Sequence, residues 1–208
     1  RPASEGPKKP IPTAATSGRW YQIPADRNPD YKRRMLICRD LPSLRAATAA
    51  LRAAGKRLAL VPTMGALHDG HLALVAAGRQ AADAVATSIF VNPLQFNPNE
   101  DLSRYPRDEE GDLAKLRGAG CDLVWMPPVE AMYPPGSATV IEVAGPTAGW
   151  EGDARPGHFR GVATVCCKLF LQSEAQVAVF GEKDWQQLQV VTRMAADLDI
   201  PIRILPVE

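Results

Sequence analysis

Short apolar runs alternate with stretches of helical apolar spacing from Met35 to the end of the chain, and few architectures accommodate that order. Met35–Cys38 reads as a strand. Leu41, Leu44, Ala47, Leu51 and Ala54 then repeat as one face of a helix, with Pro42 at its start and Gly55 past its end. Leu58–Val61 and Val85–Val91 are further buried-strand candidates, separated by a helix that begins around Leu72, Val75 and Ala76. A polar Pro-Asn loop runs to about Pro106, followed by a helix over Arg107–Arg117 whose acidic head suits the helix dipole, and by a strand at Leu123–Met126. Residues 127–157 hold much of the remaining Pro and Gly and read as an irregular excursion in which Thr139–Val143 alone looks extended. Phe159, Val162, Cys166, Leu169 and Phe170 share one helical face, and strand Val177–Phe180, helix Trp185–Leu198 and strand Ile200–Leu205 complete the series. Strands separated by helices of this length pair in parallel, so the expected fold is α/β, a Rossmann-like doubly wound parallel sheet. Such sheets bind ligands beyond the C-terminal ends of their strands.

Composition sets the boundaries of the folded part. Residues 1–34 carry six of the 19 prolines and a net charge of +5, against −4 for the rest, and show little apolar periodicity. They are expected to be a leader or poorly ordered extension, with 35–208 forming one nucleotide-binding catalytic domain. The overall charge of +1 gives no argument for a nucleic-acid partner. No apolar run approaches the roughly 18 residues of a membrane span, and the N-terminus lacks a secretory apolar core, so a cytoplasmic protein is expected. Four cysteines without a C-x-x-C spacing read as reduced, buried thiols.

Three segments carry chemistry, each directly after a strand. Val61-Pro62-Thr63-Met64-Gly65-Ala66-Leu67-His68-Asp69-Gly70-His71 runs from a strand into a helix. Its glycines let backbone approach a phosphate, the helix start offers unpaired N–H groups, and two histidines three apart project to one place. Such imidazoles stabilise charge building on a breaking phosphate bond, and one could act as general acid; a solvated helix start is the plainer alternative. Ser88-Ile89-Phe90-Val91-Asn92-Pro93-Leu94-Gln95-Phe96 puts Gln95 at a strand end, where its amide can donate and accept toward a small hydroxy acid. Phe180-Gly181-Glu182-Lys183-Asp184-Trp185-Gln186-Gln187 repeats the strand–turn–helix layout. There Gly181 allows close passage of a nucleotide, Lys183 suits a phosphate and Asp184 suits ribose hydroxyls or, more plainly, a helix cap.

In this order the three segments, together with Tyr105-Pro106-Arg107 and His158-Phe159-Arg160-Gly161-Val162, resemble the pantothenate synthetase (pantoate–β-alanine ligase) family of the H-x-G-H nucleotidyltransferase superfamily. The resemblance spans Met35 to the end. It implies an ATP-dependent ligase that forms pantoyl adenylate and pyrophosphate, then lets the amine of β-alanine displace AMP to give pantothenate. By the same resemblance Pro62, Thr63, Met64, Gly65, Ala66, Leu67, His68, Asp69, Gly70 and His71 bind ATP, with His71 in the acid role and His68 beside it. Gly181, Glu182, Lys183 and Asp184 hold adenosine and phosphate, Lys183 also facing the reacting centre. Gln95 and Gln187 grip pantoate, Gln95 also meeting β-alanine; the closed cavity that such an acyl adenylate needs would be walled in part by the Pro-Gly-rich excursion through Arg155 and His158. Mg²⁺ on the phosphates, with Asp112 near it, and a homodimer are further implications.

The resemblance also marks departures. Family chains continue into a small C-terminal domain whose loop closes on the phosphates, whereas this sequence stops at Glu208, so poor turnover of the chain by itself is expected. Cys166-Cys167 stands where aliphatic residues are commoner and reads as helix packing, and Trp185 replaces a tyrosine. The competing functions are a nucleotidyltransferase acting on a phosphorylated substrate, which would want more cations in the acid pocket, and a non-catalytic nucleotide-binding module.

Overall fold

The computed structural model describes residues 35–96 and 102–208. The expectation for residues 1–34 lies outside them, as does part of the loop before Pro106. The described chain forms one six-stranded sheet, entirely parallel, of β1 (Leu36–Cys38), β2 (Leu58–Thr63), β3 (Ala84–Ile89), β4 (Leu123–Trp125), β5 (Val177–Gly181) and β6 (Arg203–Val207). Helices α1 (Leu41–Ala53), α2 (Asp69–Ala81), α3 (Glu109–Gly118), α4 (Val129–Met132), α5 (Trp150–Ala154), α6 (His158–Ser173) and α7 (Trp185–Asp197) connect them.

Because side chains alternate across a strand, each central strand feeds two cores. Leu58 and Leu60 of β2, Ala84 and Ala86 of β3 and Leu123 and Trp125 of β4 pack with α1, α6 and α7 on one face. Ala59 and Val61, Val85 and Val124 pack with α2 and α3 on the other. Burial on both faces explains why these strands read as unbroken apolar runs. Gly78 lets α2 lie close: a Cβ there would come within 3.3 Å of Ala59 and Val85, so the helix that carries the histidines is seated tightly on the sheet.

The strand order β1-β4-β3-β2-β5-β6 has one reversal that matters. From β2 the chain winds outward through β3 and β4, then returns to the opposite side of β2 for β5 and β6. In doubly wound sheets a crevice for ligands opens at such a reversal, beyond the strand C-termini. Here β2 and β5 pair only at Ala59–Val177 and Leu60–Ala178. Pro62, with no N–H, cannot extend that ladder.

Several expected boundaries move, each for a local reason. The helix expected from Arg107 begins at Glu109, because the Asp108 side chain caps it by accepting from Gly111 N at 2.9 Å. The last strand starts at Arg203 rather than Ile200: Ile200 N donates to Ala195 O and thereby closes α7 instead of joining the sheet. Thr139–Val143 belongs to no strand; Ile141 N donates to Thr164 Oγ1 at 2.9 Å, so the segment is tied to α6 by a side chain. The irregular excursion also contains two short helices, α4 and α5. The four cysteines are free and buried, and burial pushes the Cys166 thiol up to about 12, which suits packing and not redox exchange.

Candidate active site

The loop between β2 and α2 is built around a buried carboxylate. Gly65 and Ala66 both adopt left-handed backbone, φ +86° and +52°. This turn presents successive N–H groups inward, where Asp112, 1% exposed on α3, accepts from Ala66 N at 2.8 Å and Leu67 N at 2.7 Å. Lys115 on the same helix donates to Leu67 O at 2.7 Å and lies 3.9 Å from Asp112. Gly65 N donates to Thr63 Oγ1. A Cβ on Gly65 would stand 3.0 Å from the Asp112 carboxylate, so glycine is needed there for both conformation and space.

Asp112, expected near the magnesium ion, has both carboxylate oxygens on loop amides and the Lys115 ammonium beside them, which gives it a role in holding the loop. The amides of Gly65, Ala66 and Leu67 each have a partner inside the chain. Asp112→Ala would leave two inward amides unsatisfied at about 1–3 kcal/mol each. A loss of roughly 3 kcal/mol in denaturant unfolding is expected, and an unchanged midpoint would contradict the clamp.

What the loop does present is the histidine pair. His68 is the N-cap of α2 and His71 its third residue, and they cap the helix reciprocally: Gly70 N donates to His68 Nδ1 at 3.1 Å, and His68 N to His71 Nδ1 at 3.3 Å. A backbone N–H only donates, so each Nδ1 must be unprotonated and each neutral ring carries its proton on Nε2. Among the described residues neither Nε2 has a protein partner. The rings lie 4.2 Å apart, centroid to centroid, offering two N–H donors from adjacent positions.

Burial holds the His71 pKa below the ordinary histidine value, and the neighbouring His68 pushes it the same way. Asp112 and Asp184 pull upward and Lys183 downward, so the ring senses the turn that follows β5. Protonation at Nδ1 would abolish the bond from His68 N. The neutral ring stabilises the fold above pH 6.5, and that contribution is lost as pH falls from 6.5 through the lowered pKa. Catalysis that depends on His71 Nδ1 accepting from His68 N, and so on the fixed pair of rings, should therefore fall in kcat/KM only below pH 6.5; a pH profile with its acid midpoint above 6.5 would contradict that dependence.

Beside this pair, β5 ends in Gly181 and passes through a 3-10 turn, Glu182–Asp184, into α7. Lys183, Asp184 and Trp185 are exposed, Gly181, Glu182 and Gln187 half-buried. Asp184 occupies the N-cap position of α7, yet its side chain makes no capping bond, so the plain-cap reading does not account for the carboxylate. Gln187 lies one helical turn past Lys183.

On the other side of β2, the segment after β3 forms a 3-10 turn over Pro93–Gln95. Gln95 is 8% exposed, and its Oε1 accepts from Asn92 Nδ2 at 3.0 Å, leaving the Nε2 donors to face a ligand. Asn92 also donates to Gly161 O at 3.0 Å and accepts from Tyr133 OH at 2.9 Å. Gly161 permits this approach of α6: a Cβ would lie 2.3 Å from Leu94 O. The supporting roles of Asn92, Tyr133 and Gly161 are missed by sequence reasoning, whose only signal was a glycine inside an otherwise apolar helix. Gln186 is a further omission. Its buried amide donates to Pro146 O and Gly149 O, both at 3.0 Å, and accepts from Glu151 N at 3.1 Å, fastening the excursion to α7.

Thus His68 and His71 follow β2, Gln95 follows β3, and Lys183, Asp184 and Gln187 follow β5, three neighbouring parallel strands whose C-terminal ends share one edge. Comparison with known proteins bears on the family of the chain. A pantothenate synthetase from Acidiphilium cryptum is 62% identical over 172 residues, covering 82% of this chain and 62% of its own length. The crystal structure of pantothenate synthetase from Thermus thermophilus superimposes with a TM-score of 0.78 at 52% identity, covering 83% of this chain and 61% of that one. The pantoate–β-alanine ligase of Francisella tularensis, solved in complex with β-γ ATP and β-alanine, superimposes with a TM-score of 0.79 at 34% identity, over 83% of this chain and 66% of that one. The chain thus spans about 60% of the length of the curated relatives it matches. The pantoate–β-alanine ligase family model matches residues 36–208, the whole of the described sheet with its histidine pair and lysine turn, and the chain belongs to that family.

Proposed function

We propose that this chain carries the adenylating site of an ATP-dependent ligase that condenses pantoate with β-alanine. The observation that supports this most is the placement of the His68–His71 pair and the Lys183–Asp184 turn after two adjacent parallel strands, at the reversal of strand order. In the first step a pantoate carboxylate oxygen attacks the α-phosphorus of ATP and the bond to the bridging oxygen breaks, releasing pyrophosphate. Two anions must be brought into line, so charge has to be screened. The Nε2–H groups of His68 and His71 and the Lys183 ammonium supply donors and positive charge where it accumulates. Asp184 suits the ribose hydroxyls, and the Nε2 of Gln95 with the amide of Gln187 holds pantoate. Mg²⁺ carried on the triphosphate would supply charge neutralisation for the pyrophosphate, and no side chain is assigned to it.

In the second step the amine of β-alanine attacks the acyl carbon of pantoyl adenylate and AMP leaves. The intermediate must be shielded from water, which the excursion fastened by Gln186 favours by walling the pocket. A cytoplasmic homodimer is the setting the family resemblance implies. Incubating the protein with ATP, pantoate and β-alanine while following AMP tests the reading. AMP that appears only with pantoate supports the ligase; tight ATP binding without AMP favours a nucleotide-binding module; AMP formed with a phosphorylated co-substrate in place of pantoate favours another nucleotidyltransferase.

A further inference from the structure

His158, the first residue of α6, is 5% exposed and has no part in the mechanism above. Its Nδ1 lies 2.9 Å from the backbone carbonyl oxygen of Gln95, and its Nε2 lies 3.2 Å from Nη1 of Arg155. These two hydrogen-bonding partners act in one direction only, the carbonyl accepting and the guanidinium donating, while the Glu151 carboxylate stands farther off, 3.7 Å from Nε2. The neutral ring therefore carries its proton on Nδ1 and accepts at Nε2, the opposite tautomer to His68 and His71. Arg155 in turn pairs with Glu151 Oε1 at 2.8 Å, and Glu151 N donates to the buried Gln186 amide at 3.1 Å.

These contacts form one continuous series, Gln186, Glu151, Arg155, His158, Gln95, joining α7 to the 3-10 turn after β3. Its two ends carry the side chains assigned to pantoate: Gln95 itself, and Gln187 immediately after Gln186. We infer that His158 is a positioning residue for the acid subsite, holding the Gln95 backbone so that its amide faces the substrate, an inference that rests on the ligase reading above. The close contact of Gly161 with Leu94 and the bond from Asn92 to Gly161 O fix the rest of that turn, so His158 sets its far end and is not its sole support. Loss of the imidazole frees the Gln95 carbonyl and rotates an amide that must meet a carboxylate, and displacement by about 1 Å at such a contact costs up to roughly 100-fold.

The test uses the full-length protein with His158→Ala and His158→Asn, the second retaining an N–H donor near the place of Nδ1. Expected is a rise in KM for pantoate of roughly 10-fold to 100-fold in His158→Ala. KM for ATP stays within about twofold, and His158→Asn recovers most of the loss. An unchanged pantoate KM in His158→Ala overturns the role, as does an equal rise for ATP and pantoate, or an asparagine variant no better than alanine. Imidazole ¹⁵N shifts read the tautomer independently of activity: Nδ1–H for His158 against Nε2–H for His68 and His71 is expected, and Nε2–H at His158 contradicts the geometry. Absence of pantoate-dependent AMP in the unsubstituted protein would instead sink the ligase reading itself.

Discussion

Alanine at position 71 is expected to lower pantoate-dependent AMP formation by at least about 100-fold, the scale for losing a positioned donor or acid in a transition state. His71 contributes in two ways. Its Nε2–H is one of the two donors offered beside β2, and its Nδ1 accepts from His68 N and so fixes the neighbouring ring. Removing it thus disturbs both donors at once. The fold should survive, because His71 is only half-buried and the loop beneath it is held separately by Asp112. The cost in stability should stay near that of a lost helix cap, about 1 kcal/mol. AMP release and thermal unfolding measured on the same preparation decide the matter: a variant within about threefold of the parent in rate would remove His71 from the chemistry.

Lys183→Ala should be comparably severe, a loss of roughly 100-fold or more in the adenylation step. The side chain is exposed, makes no ion pair recorded among the described residues, and follows a strand end instead of sitting in either core, so folding gives no reason for a lysine there. Its charge does reach His71. Arginine should restore little, since a planar fork on a longer stem does not reproduce the point charge of an ammonium. A single-turnover assay for pyrophosphate separates the first step from the second. Normal pyrophosphate release with slow pantothenate formation would move Lys183 out of the adenylation step.

Much of the architecture was legible because burial on both sheet faces leaves unbroken apolar runs such as Leu58–Val61 and Val177–Phe180, which helical spacing separates cleanly. Positions of His68, His71, Lys183 and Asp184 at strand ends followed from the same pattern. Less legible was which backbone groups would be consumed internally. Asp112 lies 46 residues from Ala66, and nothing local to either distinguishes a carboxylate holding loop amides from one awaiting a metal. Pairings of that kind depend on how α3 docks against the sheet, information that resides in tertiary packing. The same holds for His158 and Gln95, 63 residues apart, and for Gln186, whose neighbour Gln187 drew attention while its own amide does the fastening. At Thr139–Val143, β-branched residues suggested an extended segment, but such composition does not say whether a paired sheet edge is available.

The central claim is that one nucleotide is held jointly by the turn after β2 and the turn after β5. A crystal structure with a non-hydrolysable ATP analogue tests it most directly. The account predicts phosphate oxygens within hydrogen-bond distance of Nε2 of His71 and of Nζ of Lys183 in the same complex, above the Leu60–Ala178 end of the β2–β5 ladder. An analogue bound firmly to one of these turns, with the other facing bulk solvent and making no contact with it, would contradict the account.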